Sequence, residues 1–558
     1  MSRAADGAVR AAGAGAVVSA LMTLPGLGLG TLWDNSETAY GEVAREILLR
    51  HDWVIMHLNG GPYFVQPPLY FWLGALFSLL LGPTALALRL PSALATIALS
   101  AFTGYAVARQ AGARVGTYAA VILSTCLMQA VIGRLAIMDA LLDLTVAMTV
   151  LWWFRGCETG QARYTVYGCI AAAFGFLAKG LVAPVVALIV IVPFVVWNAR
   201  CETTHLPSPR AWLGGLLAFV AIAAPWPVAQ VAHEGFFPLQ KLIGEYTVGR
   251  YTGVVENQSG PIWYYLPVVI LGFFPWIAFL PMAVASGIRR LRDVGAVAPG
   301  AAGTPRLLRL AMTWSVMPLL FFSVARTKLP NYVALEFPAL ALITALYFEA
   351  VVRRGGTRSA VISAATVPVT IGALAFAIWL FTRNNRLTAE IAHAVPPLTA
   401  MGVAIFVGSL VTALLVARRA SVAFAPYALA AAAIVATDLL GATMLPKAEA
   451  FKPVPRLASI IQREREPGDA VAIEGVSGGN ALLFYTRPVV HVLARPGDGD
   501  PQNEEDDPRS IICASSRAWV VVPAADVTDD PSYGRRVRLI AVDRKAALLL
   551  YGGPRCRA

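Results

Sequence analysis

Long apolar runs alternate with short basic loops along most of the chain, and this alternation predicts a bundle of membrane-crossing helices. The first run extends from about Ala11 to Thr31, behind Arg3 and Arg10. Alone it has the layout of a signal peptide, but the many apolar runs that follow favour an uncleaved first helix with a cytoplasmic N-terminus. From Ala85 onward, basic loops recur at Arg109 and Arg114, Arg155 and Arg163, Arg200 and Arg210, Arg289 to Arg309, Arg353 to Arg358, and Arg418–Arg419. All fall on one side if the apolar stretch Pro68–Leu81 does not cross, and that stretch is short of the roughly 20 residues a span needs. With basic loops inside, the pattern gives about thirteen spans, an external first loop over about residues 32–84, and an external C-terminus. The run Val166–Trp197 is expected to divide near Lys179.

The pattern changes near Lys447. Ala470–Glu474, Pro488–Leu493, Ala518–Val522 and Val537–Val542 read as short buried strands, and Pro455–Glu466 as a helix. The expected organisation is a membrane domain over 1–446 and a small external α/β domain over 447–558. Asp498–Asp507 is acidic, but without the ligand spacing of an EF-hand, so it reads as a solvated loop.

Composition agrees with the membrane reading: 57% of the 558 residues are hydrophobic, 14% are charged, and mean hydropathy is +0.63. The formal charge is +12. The segment from Lys447 onward holds 16 Lys/Arg and 15 Asp/Glu, so nearly all the excess lies in the membrane part. That distribution suits positive-inside loops and argues against a nucleic-acid-binding face. The six cysteines form no close C-x-x-C pair, which argues against a zinc site. Cys513 and Cys556 share the external tail and are candidates for a disulfide.

Polar chemistry concentrates in the first external loop. It contains Leu32-Trp-Asp-Asn-Ser-Glu37, Tyr40-Gly-Glu-Val-Ala-Arg-Glu46, Asp52-Trp53 and Tyr63-Phe-Val-Gln-Pro-Pro68. Thr38–Arg50 has helical spacing, with Val43, Ile47 and Leu48 on one side and Glu42, Arg45 and Glu46 elsewhere, as in an interfacial amphipathic helix. Further charged or polar segments are Gly133-Arg-Leu-Ala-Ile-Met-Asp139, Phe176-Leu-Ala-Lys-Gly180, Glu256-Asn-Gln-Ser259 and Phe322-Ser-Val-Ala-Arg-Thr-Lys-Leu-Pro-Asn-Tyr332.

In this order, these segments resemble the lipid-linked-sugar glycosyltransferases of the GT-C fold. The resemblance is to the aminoarabinose transferases that modify lipid A and to the broader protein O-mannosyltransferase family. It implies a polytopic α-helical GT-C protein with interfacial helices in the first loop and a periplasmic α/β domain. It also implies a bacterial inner-membrane enzyme that takes a sugar from undecaprenyl phosphate with inversion and places it on an envelope acceptor. The expected substrates are 4-amino-4-deoxy-L-arabinose and lipid A. Such a transfer needs a base for the acceptor oxygen and cations for the leaving phosphate.

The family's acidic pair, followed by Thr/Pro-Arg-Tyr, corresponds here to Ser36-Glu37-Thr38-Ala39-Tyr40. Ser36 therefore stands at the catalytic aspartate position, leaving Asp34 or Glu37 to supply the acid. The alternative for both is local: Asp34 caps the following helix and Glu37 closes a capping box. Where the aminoarabinose transferases have Phe-Glu-Lys-Pro, this chain has Phe64-Val65-Gln66-Pro67, so Gln66 offers a hydrogen bond without charge. Asp139 matches a family aspartate at the outer end of a span; it is either catalytic or paired with Arg134 or another base. Arg250 matches an arginine that approaches the carrier phosphate. Lys179, Glu245, Arg326, Lys328 and Tyr40 complete the candidate binding set, with Lys179 either reaching the phosphate or snorkelling to an interface. Gln258 replaces a frequent histidine, so no metal ligands are assigned and a divalent cation is left open. Two other classes remain: a degenerate polyprenyl-lipid-binding homologue, suggested by Ser36 and Gln66, and a transporter, which would place its charges at the bilayer midplane.

Overall fold

The computed structural model describes the chain apart from residues 1, 34–35, 202–204, 255–257, 293–302, 355–357, 359, 368–394, 419–420, 450–451, 477–478, 488, 494–505, 528–534 and 554–558. Asp34, Glu256, Cys556, most of the acidic loop and part of the largest basic loop thus lie outside the described residues. The chain forms two compact units. The first comprises Met1–Leu27, Phe64–Tyr70 and Arg89–Met444; the second comprises Gly28–Tyr63, Phe71–Leu88 and Leu445–Ala558.

The first unit is helical. Among the described residues, seven helices are long and apolar enough to cross a membrane, or nine if two bent pairs each count as one span. The sharper of these bends, 106°, falls between Tyr265–Gly272 and Trp276–Arg292, at Phe274-Pro-Trp276. The figure of about thirteen from the charge pattern also counts helices such as Ser2–Thr23 and Ala162–Lys179, which form but carry charged residues near their ends. The expected break in the run Val166–Trp197 falls at Gly180, between helices Ala162–Lys179 and Val182–Ala199. Small residues let these helices approach closely. A Cβ on Gly168 would stand 2.2 Å from Trp153 Cδ1, so only glycine admits that indole. Buried polar atoms find partners where the surroundings are dry: Trp276 Nε1 donates to Thr125 Oγ1 at 3.0 Å and Trp314 Nε1 to Leu335 O at 2.8 Å.

The second unit is built on a five-stranded sheet. Its order is Val490–Leu493, Ala470–Glu474, Ala518–Pro523, Ala546–Gly552, Arg536–Asp543. The first three strands are parallel and the last two join antiparallel. The central strands are apolar on both faces because both are covered. Leu457, Ile461, Trp519 and Leu548 pack on one side, and Ile512, Val520, Leu549 and Tyr551 on the other. All four expected strands form, and the expected helix forms as Pro453–Glu464. The strand Ala546–Gly552 escaped the sequence reading because its unbroken apolar run lacks the alternation of a half-buried strand.

The first-loop residues of this unit are tied to its C-terminal residues. Asn59 Nδ2 donates to Val490 O at 2.8 Å, and Val490 N donates to Asn59 Oδ1 at 2.9 Å. Leu32 N donates to Tyr485 Oη at 2.8 Å. Lys452 Nζ sits 4.0 Å from the Trp33 ring centroid and donates to Thr31 O at 2.9 Å. The expected loop helix forms as Glu37–Arg50, but Glu37, Glu42, Arg45 and Glu46 are buried rather than turned to solvent. Arg45 Nε donates to Glu42 Oε2 at 2.8 Å, and Glu46 accepts from Arg50 Nε and Gly60 N, both at 3.0 Å. Cys513 is disulfide-bonded.

Asp469 is the polar anchor of the sheet. Its carboxylate accepts from Arg517 Nη2 at 2.7 Å, Trp519 Nε1 at 2.9 Å and Glu466 N at 2.9 Å. Burial pushes its pKa up, but the hydrogen bonds from Arg517, Glu466 N–H and Trp519 outweigh it and hold the group below its ordinary 3.8. A carboxyl depressed in the folded state stabilises above its unfolded pKa and loses that contribution as pH falls through the folded value. Asp469→Ala should therefore weaken the sheet by about 2 kcal/mol at neutral pH, with the difference shrinking below about pH 3.8. Hydrogen exchange of the Ala518–Pro523 peptides checks this; equal protection in both proteins at pH 7 would refute it.

Candidate active site

Two antiparallel neighbours create the site. The helix Asp139–Thr159 begins at Asp139, and the helix Ala162–Lys179 ends at Lys179. An acid at a helix N-terminus and a base at a C-terminus both complement the helix dipole. Chain reversal brings them to the same end, where Lys179 Nζ donates to Asp139 Oδ1 at 2.5 Å. Gly180, at φ 68°, stops the second helix with its N–H bonded to Phe176 O. A Cβ there would stand 3.9 Å from Pro67 Cγ, so Gln66 is the neighbour of a residue beside this turn. Gln66 is buried, and its amide makes no hydrogen bond with the described residues.

Tyr332 joins the pair to Arg250. Lys179 Nζ lies 5.4 Å from the Tyr332 ring centroid, and Arg250 Nη1 donates to Tyr332 Oη at 3.4 Å. Arg250 follows a π-helical turn, Lys241–Gly249, and its guanidinium also stands 5.6 Å from the Tyr246 ring centroid. A second strap holds its backbone: Thr327 N donates to Arg250 O at 3.1 Å, and Thr327 Oγ1 to Gly253 O at 2.9 Å. Two cations thus adjoin one aromatic residue, and Lys179 is paired with Asp139. A phosphate would find both charges within the reach of one group. One helical turn past Asp139, Asp143 is buried and accepts from Gln129 Nε2 at 3.1 Å, forming a polar pair beneath the site.

The remaining candidates divide. Lys328 is buried, and its Nζ donates to Ser323 O at 2.8 Å and Ala325 O at 2.5 Å, with the Tyr265 ring centroid 5.8 Å away. Burial holds its pKa below the usual 10.5. Its amine is thus engaged by carbonyls of its own loop. Arg326 and Glu245 are exposed, and neither side chain makes an ion pair or hydrogen bond among the described residues. Nearby, Trp263 is exposed, whereas Tyr265 is fully buried with its ring facing Lys328. In the second unit, the Glu37 carboxylate is buried and accepts from Trp33 N at 2.8 Å, while Ser36 stands at the N-cap without a side-chain hydrogen bond. Tyr40 packs edge-on against Phe71 at 5.6 Å. Arg134, the expected alternative partner of Asp139, pairs instead with Asp438 at 3.3 Å. Among the described residues no three of His, Cys, Asp and Glu gather as a metal site would require. The sequence reading gave no role to Tyr332, although the residue closes the motif Lys328-Leu-Pro-Asn-Tyr332.

A helical membrane bundle with a charged site where two antiparallel helices end, in one chain with a small α/β unit, is the architecture of the GT-C class of membrane glycosyltransferases. The chain has that fold: it superposes with a TM-score of 0.78 on the crystal structure of ArnT from Cupriavidus metallidurans bound to undecaprenyl phosphate, covering 97% of this chain and 98% of that one at 20% identity. The archaeal oligosaccharyltransferase AglB from Archaeoglobus fulgidus matches with a TM-score of 0.51 at 12% identity, over 93% of this chain and 69% of that one. Residues 65–227 match the family model described as dolichyl-phosphate-mannose-protein mannosyltransferase. An undecaprenyl phosphate-alpha-4-amino-4-deoxy-L-arabinose arabinosyl transferase from Edwardsiella ictaluri is 31% identical over 342 residues, which is 60% of this chain and 58% of the relative. One from Yersinia enterocolitica is 32% identical over 322 residues, 57% of this chain and 55% of the relative. The alignments thus span under two thirds of these relatives' length. The chain thus has the GT-C fold, is similar over part of its length to the aminoarabinose transferases, and matches the mannosyltransferase model over residues 65–227.

Proposed function

We propose that the chain is an inverting glycosyltransferase that moves a sugar from a polyprenyl phosphate, of the undecaprenyl class, to an acceptor in the bacterial envelope. The observation that carries this reading is the pair of cations on Tyr332. Lys179, set by Asp139, and Arg250, set by the Thr327 strap, supply the charge that a leaving phosphate needs. The names of the relatives support undecaprenyl phosphate-linked 4-amino-4-deoxy-L-arabinose as the donor, and the family resemblance of the sequence implies lipid A as the acceptor.

In the proposed step the acceptor oxygen attacks the anomeric carbon as the bond from that carbon to the carrier phosphate breaks. The proton leaves to a carboxylate, and the electron pair of the broken bond stays on the phosphate, held by Arg250 and Lys179. Gln66 adds a neutral hydrogen bond where a lysine stands in the resembled enzymes. Asp34, Glu37 and Asp139 are the acids of the sequence from which the base is proposed to come. The basic loops support a cytoplasmic N-terminus and, with it, a periplasmic site and α/β domain in a protein of the inner membrane.

Mass spectrometry of envelope lipids and glycoproteins from cells with and without the gene tests this. Lipid A lacking the amino sugar in the deletion, and regaining it with the intact gene, is the expected result. Loss of a different envelope sugar would keep the transferase and change its substrates. No change in any envelope glycan would favour the degenerate lipid-binding homologue that Ser36 and Gln66 suggest.

A further inference from the structure

We propose that a second pocket, at the other end of the helices that carry the site, binds the phosphate of an anionic glycerophospholipid. The cavity encloses about 450 Å³ including its open mouth and is lined by Phe102, Arg109, Gln110, Trp152, Arg155 and Tyr164, among others. Arg155 lies sixteen residues along the helix from Asp139, a rise of about 24 Å, so the pocket is separate from the Asp139–Arg250 site.

Its floor is a rigid aromatic stack. Trp152 and Tyr164 are parallel within 14° at a centroid distance of 5.5 Å, and Phe102 packs on Trp152 at 5.3 Å. Cations surround this floor. Arg155 is fixed by hydrogen bonds from Nη1 to Gln110 Oε1 and Glu158 Oε2, both at 3.2 Å, and stands 5.9 Å from the Tyr164 ring centroid. Arg163 lies over the same ring at 4.9 Å and donates to Tyr164 Oη at 3.2 Å. Arg109 is exposed and makes no ion pair or hydrogen bond with the described residues. Arg109 and Arg155 thus line the pocket and Arg163 stands on the Tyr164 ring of its wall, with Glu158 the carboxylate bonded to Arg155.

The ligand chemistry follows from what adjoins the pocket. Tyr167 packs edge-on against Trp152 at 5.5 Å and is 45% exposed; Phe174, seven residues further along the same helix face, is 42% exposed. An apolar track therefore leads from the cationic pocket along the helix Ala162–Lys179. A phosphate diester in the pocket with an acyl chain on the track satisfies both surfaces, whereas a free phosphate uses only the first. Basic pockets between membrane helices commonly hold such headgroups.

The test uses the full chain purified in detergent and native mass spectrometry. Dioleoyl phosphatidylglycerol, dioleoyl phosphatidylcholine and inorganic phosphate are the probes. The expected result is selective retention of phosphatidylglycerol, weakened about 10-fold in Arg109→Gln/Arg163→Gln. Both side chains are exposed, and an unchanged melting temperature without added lipid shows that the double variant is folded. Should it be unstable, Arg109→Gln alone is the variant, with a smaller loss in the same direction. Equal retention of phosphatidylcholine, or unchanged retention of phosphatidylglycerol by the folded variants, overturns the proposal. Displacement by millimolar inorganic phosphate overturns the lipid assignment and leaves a free-anion site.

Discussion

Arg250→Ala is expected to lower turnover by about 10²–10³-fold, the usual cost of removing one preorganised group that stabilises charge in a transition state. Negative charge grows on the carrier phosphate only as the sugar departs, so the loss belongs mainly in kcat rather than KM. The guanidinium is held by Tyr332 Oη and faced by the Tyr246 ring, while its backbone carbonyl is bonded to Thr327 N. This preorganisation gives the charge its effect. Arg250→Lys keeps the charge and loses the planar fork, so it should recover only part of the rate. Tyr332→Phe removes the hydroxyl and keeps the ring near Lys179, so its loss should be smaller than that of Arg250→Ala. The measurement is transfer from a polyprenyl-phosphate sugar by the reconstituted enzyme. Near-normal turnover of Arg250→Ala would remove Arg250 from the phosphate site.

The second large effect concerns Asp139 and Lys179. Their side chains are only 7% and 13% exposed, so each partner alone would be an uncompensated charge in a poorly hydrated place. Removing one member of such a pair typically costs about 3–5 kcal/mol. Lys179→Met should therefore lower both stability and transfer, and Asp139→Asn should do the same by a smaller stability margin because its amide still accepts from Lys179. The double variant Asp139→Asn/Lys179→Met separates the roles. It should regain much of the stability, because no unpaired charge remains, while transfer stays at least ~100-fold down, because the phosphate has lost a cation. Thermal unfolding in detergent and transfer assays on the same samples provide both readouts. Recovery of transfer together with stability would show that the pair only braces the two helices.

Much of this site was legible in the chain, but as separate residues. Asp139 and Lys179 stood out because each interrupts apolar sequence, and a charge there is costly enough to need a reason. Their pairing was not legible. They are forty positions apart, and only the antiparallel packing of two helices turns the start of one and the end of the other into neighbours. Lys328 shows how little chain position says about a side chain's contacts. It stood in a resembled motif and was read as a site residue, yet its amine closes on Ser323 O and Ala325 O. A lysine stem is long and flexible, so position in the chain does not say where its amine ends. Glu37 was open between a site role and a capping role, and the structure shows its carboxylate bonded to Trp33 N.

The amino-acid pattern determined the class of the molecule, because hydrocarbon admits only spans whose backbone bonds are satisfied internally, and such spans need long apolar runs. It also determined four of the five strands of the α/β region, which stand out as short apolar runs between polar segments. The tertiary structure alone decided which charges meet. It joined Asp139, Lys179, Tyr332 and Arg250 across nearly two hundred residues, and it tied Asn59 to Val490 across more than four hundred. Apolar periodicity fixes which side of an element is buried, but the partner of a buried polar group is set by packing between elements distant in the chain.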